Sequence, residues 1–435
     1  MRWLFLACCA LLVAGPVLAD ETPLRLARLE AGAPIAPTSD NARIEAVLAR
    51  LTDRLSRQPS DPEARLVHSV LRFRNGDRQG ALAELDRLVQ DEPGFNLAWL
   101  VRGDLRLAAL EPVSGVGHSP LSRLFLAPEQ RERLERLREE ARLRLAGIGF
   151  DGWRGRLPDA ILALGESVDN ALLVDKRLHR LFVYGRDADG RLRRQADYYV
   201  STGKLDGDKR KVGDLRTPEG VYFITSHIPS EKLPDKYGIG AFPVNYPNEL
   251  DRRLGKTGYG IWLHGTESRY YSRPPRDSEG CMVLTNRDLQ RLQGELAPGQ
   301  TPVVISPGVD WLTPAEWRTR RQELFAAIDA WRRDWESLNL ERYLAHYAED
   351  FWAPGFDLAG WQRRKRQVFA GKTFQTIRIE DLTLLAYPRR NPDAPAVVVA
   401  RFTQDYRSNN YQSRVRKRLY LKRINGRWKI WYEGR

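Results

Sequence analysis

The sequence predicts a multidomain chain with a helical N-terminal region, a mostly-β middle and an α+β C-terminal module. Three observations predict it. Small and apolar residues recur at helical spacing between Asn41 and about Leu110. From Leu157 the texture changes to short apolar runs punctuated by Gly and Pro. After Pro314, tryptophans at helical spacing precede four strand-like segments. The chain has 435 residues, which at roughly 100–200 residues per domain suits two to four domains. Its apolar fraction of 42% is sufficient for ordinary cores.

The opening "MRWLFLACCALLVAGPVLAD" has a basic Arg2, an apolar run from Trp3 to Val13, and Val17-Leu18-Ala19 before Asp20. That is the layout of a cleavable secretory signal over residues 1–19. The run is shorter than the roughly 20 residues a membrane helix needs, and no later run is longer. The expectation is an exported protein of the periplasm or cell envelope, with no membrane span. Cys8 and Cys9 fall in the leader, so Cys281 is the one cysteine expected in the mature chain. In an oxidising compartment a leftover cysteine is either buried and inert or a working thiol. The net charge of +14 favours anionic polymers or membrane faces. Export makes nucleic acid the least suitable partner, and anionic wall polymer or phospholipid the best.

Residues 20–40 are rich in Pro and Ala and read as a linker, followed by a helical region over 41–147. In "NGDRQGALAELDRLVQDEPGFNLAWLVRGDL", Gly76, Ala81, Leu82, Leu85, Leu88, Pro93, Ala98, Trp99 and Gly103 resemble a tetratricopeptide-like helix pair. A helical module of no special type is the alternative. "PEQRERLERLREEARLRLAG" is a charged helix with a narrow seam of Leu134, Leu137, Arg144 and Leu145, and its charge run reads as a solvated face. The β-rich unit is expected over 158–307. "ALLVDKRLHRLFVYG" and "RRQADYYVSTGK" read as two strands joined at Asp189-Gly190, and "RTPEGVYFIT" and "TPVVIS" add others. Over 314–435, Trp317, Leu324, Ile328, Trp331, Trp335 and Leu338 form one helix face. Four strands follow, with Asn425-Gly426 as a hairpin turn.

The chemistry centres on "LHGTESRYYSRPPRDSEGC". Gly280 lets the backbone at Cys281 approach another molecule closely, and N–H groups at such a turn can face an oxyanion. A thiol attacks as thiolate, and an imidazole can take its proton. His264 ends the apolar strand Gly260-Ile261-Trp262-Leu263, and a loop returns the chain to Cys281. A catalytic Cys/His pair and a structural histidine beside a buried cysteine both remain open on spacing alone. His179 and His227 lack partners at metal spacing, and a single cysteine argues against structural zinc. Gly203-Lys204 lacks the spacing of a phosphate loop. His68, His118 and His346 read as surface or packing residues.

"GDLRTPEGVYFI" (Gly213–Ile224), "YGIWLHGT" (Tyr259–Thr266) and "SEGC" (Ser278–Cys281) together resemble the YkuD-type L,D-transpeptidase domain, over roughly residues 160–307. The resemblance implies a β-sandwich-like catalytic fold acting on peptidoglycan stem peptides without metal or organic cofactor. It implies Cys281 as nucleophile, His264 as proton acceptor and donor, and the Gly265 carbonyl as orienter of the imidazole. Gly280 and Cys281 would lend amides to the oxyanion site, lined by Ser278. Many members carry an arginine two places after the cysteine that binds substrate carboxylate; here that position is Val283. Arg269, Arg273 or Arg276 could replace the charge.

"WRRDWESLNLERYLAHYAEDF", Trp361 and "GRWKIWYEG" resemble the cone-shaped nuclear transport factor two-like (SnoaL-like) module, over about 315–435. No catalytic set stands out there, so an accessory role separable from the chemistry is expected. The basic runs Arg363–Arg366 and Arg414–Arg418 would engage anionic glycan. The resulting expectation is a cysteine L,D-transpeptidase forming a Cys281 thioester on tetrapeptide stems. An L,D-carboxypeptidase is the alternative, and a non-catalytic wall-binding scaffold the second. Oligomeric state is not legible in the sequence.

Overall fold

The structure is a computed structural model that describes residues 39–109, 115–117, 126–149, 152–391 and 393–435. The expected leader with Cys8 and Cys9, most of the linker and His118 lie outside the described residues. Among the described residues no helix is long and apolar enough to cross a membrane.

The N-terminal unit is helical, with α1 (Ser39–Arg57), α2 (Pro62–Arg74), α3 (Arg78–Asp91), α4 (Asn96–Leu107) and α5 (Pro128–Gly149). Asp61 caps α2 by accepting the Ala64 N–H at 3.1 Å, and Asp77 caps α3 through the Gly80 N–H at 2.9 Å. Such caps satisfy amides that the first turn leaves unpaired. Consecutive helices pack on one another, and α5 closes on α2 and α4. Ala81 and Ala98 are fully buried among Leu85, Leu88 and Phe95. The charge run of α5 is not simply a solvated face. Glu140 and Arg144 are buried, and Arg144 pairs with Glu63 of α2 at 2.9 Å.

The catalytic-region core lies between two sheets. The larger has the order β5 (Leu192–Tyr199), β4 (Arg180–Arg186), β3 (Asn170–Asp175), β13 (Pro302–Ser306), β7 (Gly220–Phe223). The smaller has the order β12 (Met282–Val283), β10 (Trp262–His264), β9 (Gly240–Pro243), β8 (Ile228–Pro229). Leu172, Val183, Tyr222 and Val303 of the first meet Phe242, Leu263 and Met282 of the second. The stretch from Ala171 to Gly185, expected as one strand, is a hairpin of β3 and β4. Its turn has no Gly or Pro to announce it. The Asp175 carboxylate accepts the Leu178 N–H at 2.9 Å, and His179 takes a positive φ of 49°, a region histidine enters more readily than most residues. A short pair, β6 (Thr202–Gly203) with β11 (Arg276–Ser278), flanks the nucleophile turn.

The C-terminal unit wraps seven strands around a long helix. The order is β16 (Phe356–Asp357), β15 (Tyr347–Ala353), β20 (Arg427–Gly434), β19 (Gln412–Ile424), β18 (Val397–Ser408), β17 (Gln375–Ala386), β2 (Ile161–Ala163). The first pair, β1 (Leu157–Pro158) and β14 (Trp311–Leu312), joins the two ends of the catalytic region. Helix α8 (Pro314–Glu336) starts on a capping box of Thr313 and Glu316 and buries Leu324, Ile328, Trp331 and Trp335. Leu338 lies past its end at φ 60°, off the expected face. Asn425 and Gly426, at φ 48° and 77°, turn β19 into β20.

The C-terminal module, expected to be separable from the chemistry, is not structurally independent of the preceding region. Strand β2, from the catalytic side of the sequence, is an edge of the C-terminal sheet, pairing with β17. A shared core joins Ile161, Phe182, Val221 and Val304 to Leu385, Val399, Tyr420 and Tyr432. Arg418 also pairs with Glu249 of the short helix α6 (Glu249–Arg253) at 2.5 Å.

Candidate active site

Two short parallel strands bring Cys281 and His264 together. In the β10–β12 pair, Leu263 lies opposite Met282 and His264 opposite Val283. Cys281 therefore enters β12 beside the start of β10, and the intervening loop carries the chain back to begin a parallel neighbour. The Cys281 thiol donates to the Gly260 carbonyl at 3.4 Å. Burial pushes its pKa up, opposed by the Trp262 backbone hydrogen bond and the positive charge of Arg273. His264 is 3% exposed. Its Nδ1 lies 2.6 Å from the Gly265 carbonyl, so Nδ1 carries the proton and Nε2 keeps its lone pair. Burial, reinforced by Arg273 and Lys236 against the Gly265 hydrogen bond, pushes the imidazole down to about 3. Both groups therefore rest uncharged at neutral pH. No hydrogen bond joins them among the described residues, and such bonds often tighten only when substrate arrives.

Ser278 braces the turn. Its hydroxyl donates to the Cys281 carbonyl at 2.6 Å and accepts the Gly280 N–H at 3.1 Å. The Gly280 amide, expected at the oxyanion site, is turned to Ser278 instead. Gly280 has φ +136°, and a Cβ there would lie 2.8 Å from the Arg216 carbonyl oxygen. Only glycine fits.

The three loop arginines separate. Arg273 sits at the site, acting on both Cys281 and His264. Its guanidinium is held by Glu267 at 3.2 Å and the Lys236 carbonyl at 2.7 Å. Arg276 pairs instead with Glu139 of α5, and Arg269 is exposed, its guanidinium 4.6 Å from the Tyr270 ring centroid. The loop itself is anchored to the helical unit. Tyr271 is buried in the helical core with its ring 4.3 Å from Phe95, and its N–H donates to Gly94 at 3.1 Å. Ser272 donates to Glu140 at 2.8 Å. Beside the loop a cleft of about 310 Å³ lies against α4 and α5, lined by Arg133, Leu137, Tyr270 and Arg273 among others.

Sequence reasoning missed several site residues. Tyr237 packs edge-on against His264 with ring centroids 5.0 Å apart. Asn286, the first residue of α7 (Asn286–Leu292), clamps the segment after His264 by accepting the Thr266 N–H at 3.1 Å and donating to the Thr266 carbonyl at 2.8 Å. The residues around Asn286, from Val283 to Leu289, give no signal of that contact in the sequence.

The C-terminal cone holds a second polar cluster. Lys365 of α10 (Leu358–Ala370) is 8% exposed, with its Nζ 4.6 Å from the ring centroids of Trp335 and Trp361 and 5.0 Å from that of Tyr343. No hydrogen bond or ion pair reaches that Nζ among the described residues, and burial pushes its pKa down to about 8. Tyr347 donates to buried Glu433 at 2.8 Å, and Glu433 also pairs with Lys417. The two basic runs are therefore not a continuous surface stripe. Lys365 and Lys417 turn inward, and Arg414 pairs with Glu380 at 2.7 Å.

The family model of the L,D-transpeptidase catalytic domain, YkuD, matches residues 169–305, and that of the Cds6 C-terminal NTF2-like domain matches 323–434. No curated protein matches the sequence. Among solved structures the chain is similar to Bd1075 of Bdellovibrio bacteriovorus, at 29% identity and a TM-score of 0.57, over 64% of this chain and 97% of that one. It is similar as well to the helical cell shape determining protein Pgp2 of Campylobacter jejuni, at 29% identity and a TM-score of 0.53, over 63% of this chain and 96% of that one. The chain carries a YkuD-type L,D-transpeptidase catalytic domain followed by an NTF2-like domain.

Proposed function

We propose that the protein is a peptidoglycan-modifying cysteine L,D-transpeptidase that acts on tetrapeptide stems through a Cys281 thioester. The observation that supports this reading is the pairing of β10 with β12, which puts Cys281 and His264 on adjacent strands, together with the Gly265 bond that leaves Nε2 of the imidazole free. His264 Nε2 takes the thiol proton as sulfur attacks the carbonyl at the L-centre of diaminopimelate. The Cys281 amide donates to the oxyanion. The C–N bond to D-alanine then breaks, and the His264 proton goes to the leaving amine. A second nucleophile, deprotonated by His264, attacks the thioester and restores the thiol. An amine of another stem yields a 3→3 cross-link; water yields a tripeptide.

One observation favours water, and with it an L,D-carboxypeptidase. The loop from Glu267 to Ser278 is pinned by Tyr271 in the helical core, so that wall is fixed rather than free to swing aside for a second stem. The shared layout with Pgp2 supports a role in wall remodelling that sets cell shape. The cone would serve as an accessory binder of wall glycan, with Arg363, Arg364, Arg366 and Arg416 exposed around it; binding to sacculi should then weaken with salt. The deciding experiment is incubation of purified protein with a disaccharide-tetrapeptide and mass analysis of products. Dimer supports transfer, and tripeptide with free D-alanine alone establishes trimming. The absence of both, with no adduct from a thiol-reactive or β-lactam probe on Cys281, would leave the wall-binding scaffold.

A further inference from the structure

The reaction proposed above handles a peptide rich in carboxylates, yet Val283, in place of the usual arginine, is buried in β12. The cations around the nucleophile fall into distinct groups. Some are satisfied: Arg273 by Glu267, Arg276 by Glu139, and Lys209 by Asp214 at 2.8 Å. Others stand in water and need no partner, namely Lys204, Arg210, Lys211, Lys236 and Arg269. Arg216 belongs to neither group. It is half-buried, its Nε is sealed from solvent without a hydrogen-bond partner, and no ion pair reaches its guanidinium among the described residues. Three carboxylates of the same loop region are already engaged, while Glu279 beside the nucleophile is exposed and makes no ion pair among the described residues. Asp206 serves Arg390 at 3.1 Å, Asp208 serves Lys256 at 2.8 Å, and Glu219 serves Lys176 at 2.8 Å. Asp214, which holds Lys209, meets only the backbone N–H of Arg216, at 3.3 Å.

The backbone is shaped around this arginine. Gly207, at φ +106°, lies under the guanidinium, where a Cβ would sit 3.5 Å from Nε and 3.6 Å from Cζ. A Cβ at Gly203 would lie 2.9 Å from the Arg216 Cα, and one at Gly280 would lie 2.8 Å from the Arg216 carbonyl oxygen. Glycines thus let the Arg216 backbone lie against the nucleophile turn, while its side chain lies over Gly207. A guanidinium held partly out of water with an unpaired N–H carries a desolvation cost that an arriving anion offsets.

We propose that Arg216 is a specificity-determining residue that anchors a carboxylate of the donor stem peptide, taking over the task left by Val283. The charges that act most on the thiol are Arg273, Glu279 and Lys209. Arg216 is not among them, so the carboxylate it holds is one set back from the scissile bond. This rests on the acyl-transfer reading for its substrate, but its test does not need turnover. Binding of a soluble disaccharide-tetrapeptide to Cys281→Ala is measured by calorimetry against Cys281→Ala/Arg216→Gln. The same pair is titrated with the peptide whose stem carboxylates, other than the terminal one, are amidated. The expected result is a 10- to 100-fold loss of affinity for the free acid on removing Arg216, on the order of 1.4–3 kcal/mol, and little change for the amidated peptide. Arg216→Lys should recover part of the loss. Equal affinities for the free acid would overturn the proposal, as would equal losses on both peptides or no binding by either protein. In the active enzyme, Arg216→Gln should raise KM far more than it lowers kcat. Failure of the wild type to turn over any tetrapeptide, with the binding difference intact, would reject the reaction and leave the anchor standing.

Discussion

The catalytic unit and the C-terminal cone each bury an ionisable group away from any full partner, and they do so with opposite consequences. His264 is buried beside a carbonyl that fixes its tautomer, and its depressed pKa keeps it neutral and able to accept a proton. Lys365 is buried among aromatic faces with no acceptor for its N–H groups, and at neutral pH it still carries its charge. Burial makes a base available in one place and leaves a cation under tension in the other. A neutral base is suited to turnover. An unsatisfied buried cation is suited to binding a group that can accept its hydrogen bonds.

The largest effect should come from the thiol. Cys281→Ala should abolish product formation while the melting curve is little changed, because the thiol itself makes only weak bonds, to the Gly260 carbonyl and the Trp262 backbone, and alanine keeps the backbone bond to Ser278. His264→Ala should cost about 10²–10⁴-fold in kcat/KM. If either variant turned over tetrapeptide like the wild type, the contrast drawn above would lose its catalytic half. Next comes truncation after Ser306. Removing the C-terminal unit strips the partners of Ile161, Phe182 and Val304 from the shared core, and it leaves β2 without its sheet. We expect an aggregating or unfolded product, measured by chromatography and circular dichroism. A monodisperse, cooperatively folded fragment would show that the two regions are independent after all.

Tyr271→Ala tests the link between the helical unit and the site. Deleting a buried aromatic ring should destabilise by about 3 kcal/mol. Freeing the loop should also lower kcat and, if the pinned wall is what excludes a second stem, raise the ratio of dimer to tripeptide. A destabilised variant with an unchanged product ratio would separate anchoring from specificity.

The site was legible in the sequence where chemistry is local. The family resemblance carried by His264-Gly265 and Ser278–Cys281 singled out those residues, while spacing alone left open whether His264 and Cys281 lie together. What stayed hidden depends on pairings between distant segments. The β3–β4 turn is made by Asp175 and His179 with no turn residue to announce it. The charge run of α5 becomes a contact surface because Glu139 and Glu140 meet Arg276 and Ser272 of the catalytic loop. The cone cluster draws Lys365, Tyr343, Tyr347, Lys417 and Glu433 from separate elements. Basic runs likewise say nothing of direction. Lys365 faces inward between exposed Arg364 and Arg366, because a helix turns successive residues to different sides.

The smallest effect is on stability, and it tests the cone's half of the comparison. Lys365 has a folded pKa of about 8 against 10.5 for the free side chain. Between those values the unfolded chain holds a proton that the folded one has released, so this group's contribution to stability rises with pH across about 8 to 10.5. Below about 8 the folded protein carries the buried cation and its full cost, on the order of 3–4 kcal/mol at roughly 1.4 kcal/mol per pKa unit. Lys365→Met keeps the apolar packing against Trp335 and Trp361 and removes the charge. It should therefore stabilise the protein near pH 7 and flatten the rise in stability between pH 8 and 10.5, read from denaturant melts across that range. The same substitution should leave cleavage of soluble tetrapeptide unaltered and weaken retention on sacculi. Loss of stability at pH 7 would mean that the lysine is satisfied in the cone, and that its burial is structural rather than held ready for a ligand.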